Sequence, residues 1–571
     1  MSKNPFLQQR FRDRQLVLLS ALAVVCGLIG CSRLLNLESD NCETAADCQA
    51  FGERWSGATC VAGSCQLPSE VTTQVNDAGT DAGQDAGGCV STVQCVKDHL
   101  DEPYACLTPG TPCVALRTAE CPLVFGDFHS EHAVRFGALL NTPASAPLSQ
   151  MSTLNVQLAV DEFNGSVGGL PGGPLDKLRP LVVVACRNDP NLIDAAATHL
   201  IDELGLPATI AHLPSADLKK FFVDRALPKQ TLVINPGFAD NSLTSLSSNG
   251  LFWHVIGDVR DVAPAYVPLL ARVETYLANP GPIRVAMIVS KRYAEQSIAD
   301  TLSPLLRFNG KSVLDNGQNF YTSAVPALVD EPTADYSSLN AALLAFKPHV
   351  VIAITREEFV YKILPALEAG WSTAASGQAR PFYIIPTALS GNLDLLNYLA
   401  QDSPEGTSDS KRARVLGVAP ASAEDLTLYN QFLVRFRTAY PRFENPGGFE
   451  NFYDSVYLVA NAMFAAGSVP KLTGLDIARG LQRVLTGNTV VNIGPTFIAD
   501  GFTALAAGGS IRLNGTMGIA DFDPGIGARR GGASVYCVNR GETGLTFAYD
   551  VLRYNSTSHV LSGDLPCFTG F

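Results

Sequence analysis

The sequence predicts an α/β protein with two lobes, preceded by a cysteine-rich stalk. Short apolar, β-branched segments recur from about residue 120, and an amphipathic helical pattern follows most of them. This alternation is typical of right-handed βαβ units and parallel sheets. The strand candidates are too numerous for one compact open sheet, so we expect two sheets, one in each lobe.

The composition excludes several classes of protein. The 571 residues are 46% hydrophobic and 17% charged, which is enough apolar material for a large core and excludes a disordered or fibrous chain. A formal net charge of −13 gives no electrostatic reason to expect a nucleic-acid partner. The 14 cysteines indicate an oxidising compartment such as the cell envelope.

Residues 1–30 have the pattern of a signal peptide, with a basic start and an apolar run from Leu16 to Ile29. The run ends in Leu28-Ile29-Gly30-Cys31, which resembles the lipobox of bacterial lipoproteins. That resemblance implies lipidation of Cys31 and anchoring by acyl chains. Ser32 follows the cysteine and favours the outer membrane, with the protein facing the periplasm. A signal peptide cleaved elsewhere and a short anchor helix remain alternatives.

Two units of four cysteines, at residues 31–70 and 89–120, are predicted to form a stalk. Their gaps are similar in order and length, which indicates an internal repeat; the cysteines are Cys42, Cys48, Cys60 and Cys65, then Cys89, Cys95, Cys106 and Cys113. Segments this short need covalent links to fold, so we expect disulfides in one of the three pairings that each unit allows. Zinc is the alternative, although the spacing does not favour it. The linker at 71–88 repeats Asp-Ala-Gly and is predicted to be a flexible spacer.

The remainder of the chain is predicted to form the two lobes. We assign residues 121–281 and about 421–500 to the first lobe, and residues 282–420 and about 501–571 to the second. A hairpin within this last stretch is expected to turn at Asn514-Gly515. The principal strand candidates are Ala133–Leu140, Pro180–Cys186, Thr231–Asn235, Ile283–Val289, His349–Thr355, Phe382–Ile385 and Val415–Val418.

Four cysteines lie in the predicted lobes. Cys121 and Cys186 are both close to the first strands of the first lobe, whereas Cys537 and Cys567 both lie in the β-rich C-terminal segment. We therefore predict the disulfides Cys121–Cys186 and Cys537–Cys567.

Several motifs between about 130 and 540 resemble the type I periplasmic binding proteins, in particular the leucine/branched-chain amino-acid binding family. The order and spacing of these motifs carry the resemblance, since each of them is short. They are Leu158-Ala159-Val160-Asp161-Glu162-Phe163-Asn164 with Gly168-Gly169-Leu170-Pro171-Gly172-Gly173, then His212-Leu213-Pro214-Ser215, Ile234-Asn235-Pro236-Gly237-Phe238-Ala239, and Phe452-Tyr453-Asp454-Ser455-Val456-Tyr457.

The resemblance implies seven ligand-binding positions, of which six would line one cleft between the lobes and Arg356 would lie inside it or near its edge. In the first lobe Ser215 would hold a ligand carboxylate, and Gly237 and Ala239 would supply a carbonyl and an amide. In the second lobe they are Tyr293, Thr355, Arg356 and Thr387. Carboxyl ends of parallel strands are where such sheets bind ligands.

Departures from the family pattern put the usual ligand in doubt. Thr387 stands where relatives carry the glutamate that pairs with the ligand's ammonium group, and Arg356 favours an anionic group instead. Each position also has a structural interpretation. Ser215 is a candidate cap of a helix over 216–222, Tyr293 a packing residue, and Arg356 a surface charge or a salt-bridge partner.

Binding, and not catalysis, is the predicted activity. The sequence has no metalloprotease, nucleophile-elbow or Walker motif, and we expect neither a cofactor nor a metal. The first hypothesis is a solute-binding lipoprotein that takes a small amino-acid-like or anionic ligand and serves an ABC permease or a sensor. The second is a structural or regulatory envelope lipoprotein that uses the same fold to bind a protein.

Overall fold

The computed structural model describes residues 59–61, 64–66, 88–140, 150–172, 177–371, 377–401, 411–443, 448–467, 471–541, 544–556, 558–565 and 567. The predicted signal peptide, Cys31, most of the first cysteine-rich unit and the linker up to residue 87 lie outside these residues. The chain divides into two compact units, residues 1–85 and 86–571. In the first unit, strands β1 (Thr59–Val61) and β2 (Ser64–Gln66) form an antiparallel hairpin that places Cys60 opposite Cys65.

The second cysteine-rich unit folds around helix α1 (Thr92–Asp98) and the two-residue strands β3 (Tyr104–Ala105) and β4 (Val114–Ala115). Its disulfides are Cys89–Cys106 and Cys95–Cys113. The first cysteine thus pairs with the third and the second with the fourth, which is one of the three pairings that the sequence left open.

The strands that follow make up the two lobes. They are β5 (Leu123–Gly126), β6 (Val134–Leu140), β7 (Leu181–Arg187), β8 (Ala208–Ala211), β9 (Leu232–Asn235), β10 (Phe252–His254), β11 (Val285–Ser290), β12 (Arg307–Phe308), β13 (Lys311–Ser312), β14 (Phe320–Val325), β15 (Val350–Ile354), β16 (Phe382–Pro386), β17 (Val415–Pro420), β18 (Thr489–Asn492), β19 (Ile511–Gly515), β20 (Gly518–Ile519), β21 (Phe522–Asp523), β22 (Ala528–Arg529), β23 (Ala533–Arg540), β24 (Leu545–Asn555) and β25 (Val560–Gly563).

Helices occupy most of the connections between these strands. They are α2 (Met151–Val167), α3 (Ile193–Ala197), α4 (Ser215–Phe221), α5 (Asn241–Thr244), α6 (Val259–Val262), α7 (Tyr266–Leu277), α8 (Tyr293–Leu302), α9 (Ser337–Phe346), α10 (Leu364–Gly370), α11 (Leu393–Ala400), α12 (Thr427–Ala439), α13 (Glu450–Ala465), α14 (Gly474–Leu485) and α15 (Ile498–Ala506). Among the described residues, none of the helices combines the length and apolar character that a membrane span requires.

Each lobe contains one eight-stranded sheet. The first-lobe sheet has the order β21-β22-β10-β9-β8-β6-β7-β5, with antiparallel strands only at its two edges. The second-lobe sheet has the order β14-β11-β15-β16-β17-β23-β24-β25, parallel through β17 and antiparallel beyond it. The central strands are buried on both faces, as their β-branched sequences predict.

The boundaries between the lobes differ from those expected. Residues 259–281, expected in the first lobe, carry α6 and α7, whose apolar residues belong to the second-lobe core. Residues 501–529, expected in the second lobe, carry β19 to β22 and most of α15, and they pack on the first-lobe core. The error has a simple cause, because an amphipathic pattern shows that a helix has an apolar face but not which sheet covers it.

The predicted turn at Asn514-Gly515 was also wrong. Both residues lie in β19, opposite Ile519 and Gly518 of β20, so the turn falls at Thr516-Met517. The Asp454 carboxylate accepts hydrogen bonds from the Thr516 N–H at 3.1 Å and from the Met517 N–H at 3.3 Å. This tertiary contact fixes a turn that local sequence preference would place two residues earlier.

Two disulfides connect elements within the lobes. Cys121–Cys186 ties the segment before β5 to β7, and Cys537–Cys567 ties β23 to the C-terminal segment. These are the two pairings that the sequence predicted.

Candidate functional site

The first-lobe positions lie where strands β8 and β9 end. Ser215 is the first residue of α4 and is partly buried, whereas Pro214 is the residue at the cap and makes no capping bond through its side chain. The N–H of Gly237 donates to the Asn235 side-chain oxygen at 2.8 Å. Ala239 is fully buried, and its N–H and carbonyl oxygen are bonded to Gly257 and Val259 at 3.0 and 3.2 Å. The Ala239 amide is therefore engaged within the protein.

The second-lobe positions lie at the ends of β11, β15 and β16. Tyr293 begins α8 and is 59% exposed. Thr355 directly follows β15 and is fully buried, and its hydroxyl has no hydrogen-bond partner. Thr387 directly follows β16 and is partly buried.

The two lobes contact one another between the segment that follows β9 and helix α8. Asn241, shortly after β9, donates its backbone N–H to Ser297 Oγ and its side-chain amide to Thr301 Oγ1, both at 3.3 Å. Ser297 and Thr301 lie on α8 of the second lobe. Phe238, between the two first-lobe backbone positions, packs against the second-lobe core. The two lobes therefore meet close to some of these strand ends, and one shared cleft for the seven positions stays a prediction.

Arg356 is part of an ion pair. Its Nε donates to Glu295 Oε1 at 2.5 Å, and its backbone N–H donates to Glu358 Oε2 at 2.8 Å. Burial alone would lower the pKa of Arg356, but the neighbouring carboxylates, chiefly that of Glu295, together raise it above its ordinary value. Of the roles that the sequence left open for Arg356, this geometry supports the salt-bridge partner. Glu295 was missed from the sequence because nothing local distinguishes it from a solvated helix residue.

Two histidines lie at the first-lobe edge, and His254 is fully buried whereas His212 is partly buried. His254 ends β10, and its Nδ1 is 3.0 Å from the side-chain amide nitrogen of Asn235. His212 directly follows β8, and its ring meets Phe452 edge-on. Burial lowers the pKa of His212 to about 4 and that of His254 to about 3, so both are neutral near pH 7. One ring nitrogen of each, Nδ1 of His212 and Nε2 of His254, has no hydrogen-bond partner. The sequence signal for such residues is their position at the carboxyl end of a strand.

Glu450 begins α13 of the first lobe. Burial, with a smaller contribution from Asp454, raises the pKa of Glu450 to about 7. Glu450 also contributes to raising the pKa of Tyr549 on β24 of the second lobe.

The described residues offer little for metal binding. Within them, the single group of three candidate ligands is Cys89, Cys95 and Cys106, and all three sulfurs are in disulfides. Thiolate ligation of zinc requires free sulfurs, so the zinc alternative does not apply to this unit.

No protein-family model matches the chain, and no curated protein matches it. Among solved structures, the leucine-binding protein LivK of Thermotoga maritima matches with a TM-score of 0.50 at 13% identity, covering 73% of this chain and 98% of that one. LivJ of Streptococcus pneumoniae in complex with isoleucine matches with a TM-score of 0.49 at 14% identity, over 73% and 99% of the two chains. A Rhodopseudomonas palustris solute-binding protein in complex with benzoate matches with a TM-score of 0.46 at 14% identity, over 76% and 98%.

The two lobes and their largely parallel sheets define a two-lobed α/β protein of the periplasmic binding type. More particularly, the similarity to LivK shows that the chain has the type I periplasmic binding protein fold. A disulfide-linked unit precedes this fold at residues 89–120.

Proposed function

We propose that the protein is a lipid-anchored solute-binding protein of the bacterial cell envelope, which closes its lobes on a small polar ligand and presents it to an ABC permease or a sensor. One observation carries the proposal. The segment after β9 of the first lobe contacts α8 of the second lobe, in a fold shared with a leucine-binding protein. A ligand that contacts both lobes at once stabilises the closed arrangement, which is how such proteins signal occupancy.

The ligand can be identified directly, whatever its chemical class. We expect mass spectrometry of the full-length protein, purified under native conditions and then denatured, to release one small molecule in near-stoichiometric amount. Adding that compound back should raise the melting temperature by mass action. A protein that neither carries a small molecule nor responds to any nutrient solute would contradict the proposal.

The anchor has a separate test. Cys31→Ala should leave an unlipidated precursor and abolish stable membrane association, because the acyl chains supply the membrane affinity. Cys26→Ala, five residues earlier in the apolar run, is the matched control and should leave lipidation unchanged. Mass spectrometry of the mature N-terminus decides the matter, since a mature chain without an acyl group excludes the anchor.

A second candidate is an envelope scaffold that binds a protein. The packing of Phe238 against the second-lobe core favours it, because this apolar contact holds the lobes together without a ligand. Under this function the closed arrangement would be permanent. Interlobe distances that stay unchanged with every small solute, together with a stable protein complex from envelope extracts, would favour the scaffold.

A further inference from the structure

The second cysteine-rich unit, residues 89–120, packs into the first lobe. Ala105 and Leu116 of this unit are fully buried and belong to the first-lobe core. The carbonyl oxygen of Leu116 also lies 3.3 Å from Nε2 of the buried His199. Because its apolar side chains contact those of the lobe, the unit and the first lobe share one core.

Polar contacts hold the same unit against β6. The carboxylate of Glu131, just before β6, accepts hydrogen bonds from the backbone N–H groups of Thr92 and Val93 at 2.7 and 3.4 Å, at the start of α1. Arg135 of β6 donates to Thr92 Oγ1 at 3.2 Å. The unit is therefore held on the first lobe by charge-assisted hydrogen bonds as well as by apolar packing.

The unit also holds the carboxyl end of β7. The backbone carbonyl of its last residue, Glu120, accepts a hydrogen bond from the Arg187 N–H at 2.8 Å. The next residue, Cys121, forms a disulfide with Cys186. Since Cys186 and Arg187 are the last two residues of β7, this strand end is attached to the unit by a covalent bond and a hydrogen bond.

Asn188 extends this connection to the candidate ligand segment. It directly follows β7, its N–H donates to the Leu140 carbonyl oxygen at 3.0 Å, and its side-chain amide donates to the His212 carbonyl oxygen at 3.1 Å. The His212 N–H donates to the Leu139 carbonyl oxygen at 3.1 Å. Both backbone polar groups of His212 are therefore fixed by neighbouring strand ends.

His212 lies between the two first-lobe segments that the resemblance assigns to ligand binding. Ser215 is three residues farther along the chain, at the start of α4. A Cβ atom added to Gly237 would lie 3.4 Å from Cδ2 of the His212 ring. A displacement of His212 would therefore reach Ser215 through the backbone and Gly237 through the ring contact.

We propose that the second cysteine-rich unit braces the first-lobe side of the ligand site, and that Asn188 is the positioning residue that carries this support to His212. The effect on affinity rests on the proposed solute-binding function, whereas the brace itself does not. A site that is held in its binding geometry beforehand loses less conformational freedom on binding, so its affinity is higher. Asn188 raises the affinity in this way without touching the bound solute.

The first test measures hydrogen exchange of the full-length protein. Asn188→Ala and Asn188→Asp both remove the amide that donates to His212, and aspartate keeps the shape of asparagine. Both should speed exchange in residues 209–218 by roughly twofold to tenfold and leave second-lobe amides unchanged. Asn191→Ala is the matched control, because the Asn191 side chain contacts Asp189 on the same exposed loop. Exchange in Asn188→Asp that equals that of the unsubstituted protein would overturn the role of Asn188.

The second test removes disulfides. Cys121→Ala/Cys186→Ala breaks the covalent link between the unit and β7, whereas Cys537→Ala/Cys567→Ala removes a disulfide of the second lobe and is the matched control. Both double variants should melt at a lower temperature, because each loses a cross-link. Only the first should speed exchange in residues 209–218, and equal exchange of this segment in the two variants would overturn the brace.

A variant outside the disulfides keeps this test decisive if the first double variant fails to fold. Glu131→Ala removes the acceptor of two N–H groups of α1 and should speed exchange in residues 209–218 by a smaller factor, roughly twofold. Glu102→Ala is its control, since it loses only an exposed ion pair with Arg117 within the unit. Equal rates in these two variants would likewise overturn the brace.

The third test connects the brace to solute binding. Native mass spectrometry after dilution measures how fast the purified protein loses its co-purified small molecule, and Asn188→Asp should speed this loss by roughly twofold to tenfold. Faster exchange of residues 209–218 with an unchanged rate of loss would overturn the positioning role. A protein that carries no small molecule would contradict the proposed function, and the exchange experiments would still decide the brace.

Discussion

Glu162 links two helices of the first lobe to α2 through one buried carboxylate. Its Oε1 accepts from Arg435 Nε of α12 at 2.7 Å, and its Oε2 accepts from the Tyr457 hydroxyl of α13 at 2.7 Å and from the Tyr453 hydroxyl. Both oxygens are therefore bonded, and Arg435 compensates the charge. The Asp-Glu-Phe-Asn and Phe-Tyr-Asp-Ser-Val-Tyr motifs of the sequence meet at this point.

We expect Glu162→Ala to lower the free energy of unfolding by about 3 kcal/mol, because it leaves a partly buried guanidinium and two buried hydroxyls without their acceptor. Asp161→Ala, at the exposed neighbouring position, is the control and should cost under about 0.5 kcal/mol. Urea unfolding measures both. Equal effects for the two variants would show that the network contributes nothing.

His212 and His254 make the stability dependent on pH. Their pKa values are lowered to about 4 and about 3 in the folded protein, against 6.5 for an ordinary histidine. The unfolded chain therefore binds more protons at these residues below about pH 6.5, and folding loses stability as the pH falls. At about pH 5 the loss is about 2 kcal/mol for each histidine. Glu450, whose pKa is raised to about 7, acts in the opposite direction and partly offsets it.

The contribution of His254 to this pH dependence is measured as a difference between the variant and the unsubstituted protein. Between about pH 7 and about pH 5, His254→Gln should lose about 2 kcal/mol less stability than the unsubstituted protein does. Urea titrations at the two pH values provide the comparison. Parallel pH dependence in both proteins would show that His254 does not remain neutral in the folded state.

The turn between β19 and β20 depends on its contact with helix α13. A Cβ atom on Gly515 would lie far inside van der Waals contact with the Asp454 carboxylate. Because Asp454 is held by Thr516 and Met517, it cannot move aside without losing hydrogen bonds. We expect Gly515→Ala to lower the free energy of unfolding by about 2 kcal/mol or more.

Gly165 provides the matched control for this substitution. It lies on the exposed side of α2, where an added Cβ meets no atom within 4 Å. Gly165→Ala should raise stability by about 0.5 to 1 kcal/mol, since alanine favours the helix and restricts the unfolded chain. Thermal unfolding should therefore move in opposite directions for the two variants, and a loss of stability in both would refute the steric argument.

The elements also show what sequence can and cannot predict. The buried parallel strands β7, β11 and β15 were predicted to within two residues, because their runs of β-branched residues have few alternative structures. The three-residue strand β10 was missed, since Phe252-Trp253-His254 is too short to show a period. The turn at Thr516-Met517 and the lobe assignment of α7 were predicted wrongly, because distant contacts decide both.

The same difference between local sequence patterns and distant contacts applies to the candidate site. That Thr355 and Thr387 directly follow strands was predictable, because strand ends can be located in the sequence. The pairing of Arg356 with Glu295 and the engagement of the Ala239 amide were not, since each depends on a residue that only the fold brings close. Sequence therefore located these strand ends but not the pairing of the charges beside them.

At the scale of the whole molecule, direct contacts between the lobes favour the closed arrangement. Phe238→Ala removes an apolar contact with the second-lobe core, which is worth about 1 to 3 kcal/mol. We expect it to shift the population toward an open form by roughly tenfold. Single-molecule energy transfer between dyes on the two lobes measures this shift.

Phe443→Ala is the control for the lobe experiment. Phe443 is partly buried against the core of its own lobe, so its loss should lower stability without changing the distance between the lobes. An unchanged distance in Phe238→Ala as well would show that other contacts hold the lobes together.

The path of the chain has a consequence for biosynthesis. In the described part of the chain, the first-lobe sheet receives β22 only after the parallel strands of the second lobe, and the second-lobe sheet is completed by β25 close to the C-terminus. Pairings this far apart in sequence form slowly. A chain emerging from the ribosome therefore carries two incomplete sheets until translation has almost ended. The chain therefore stays incompletely folded for that period, and an incompletely folded chain is the form that can be threaded through a narrow secretion channel.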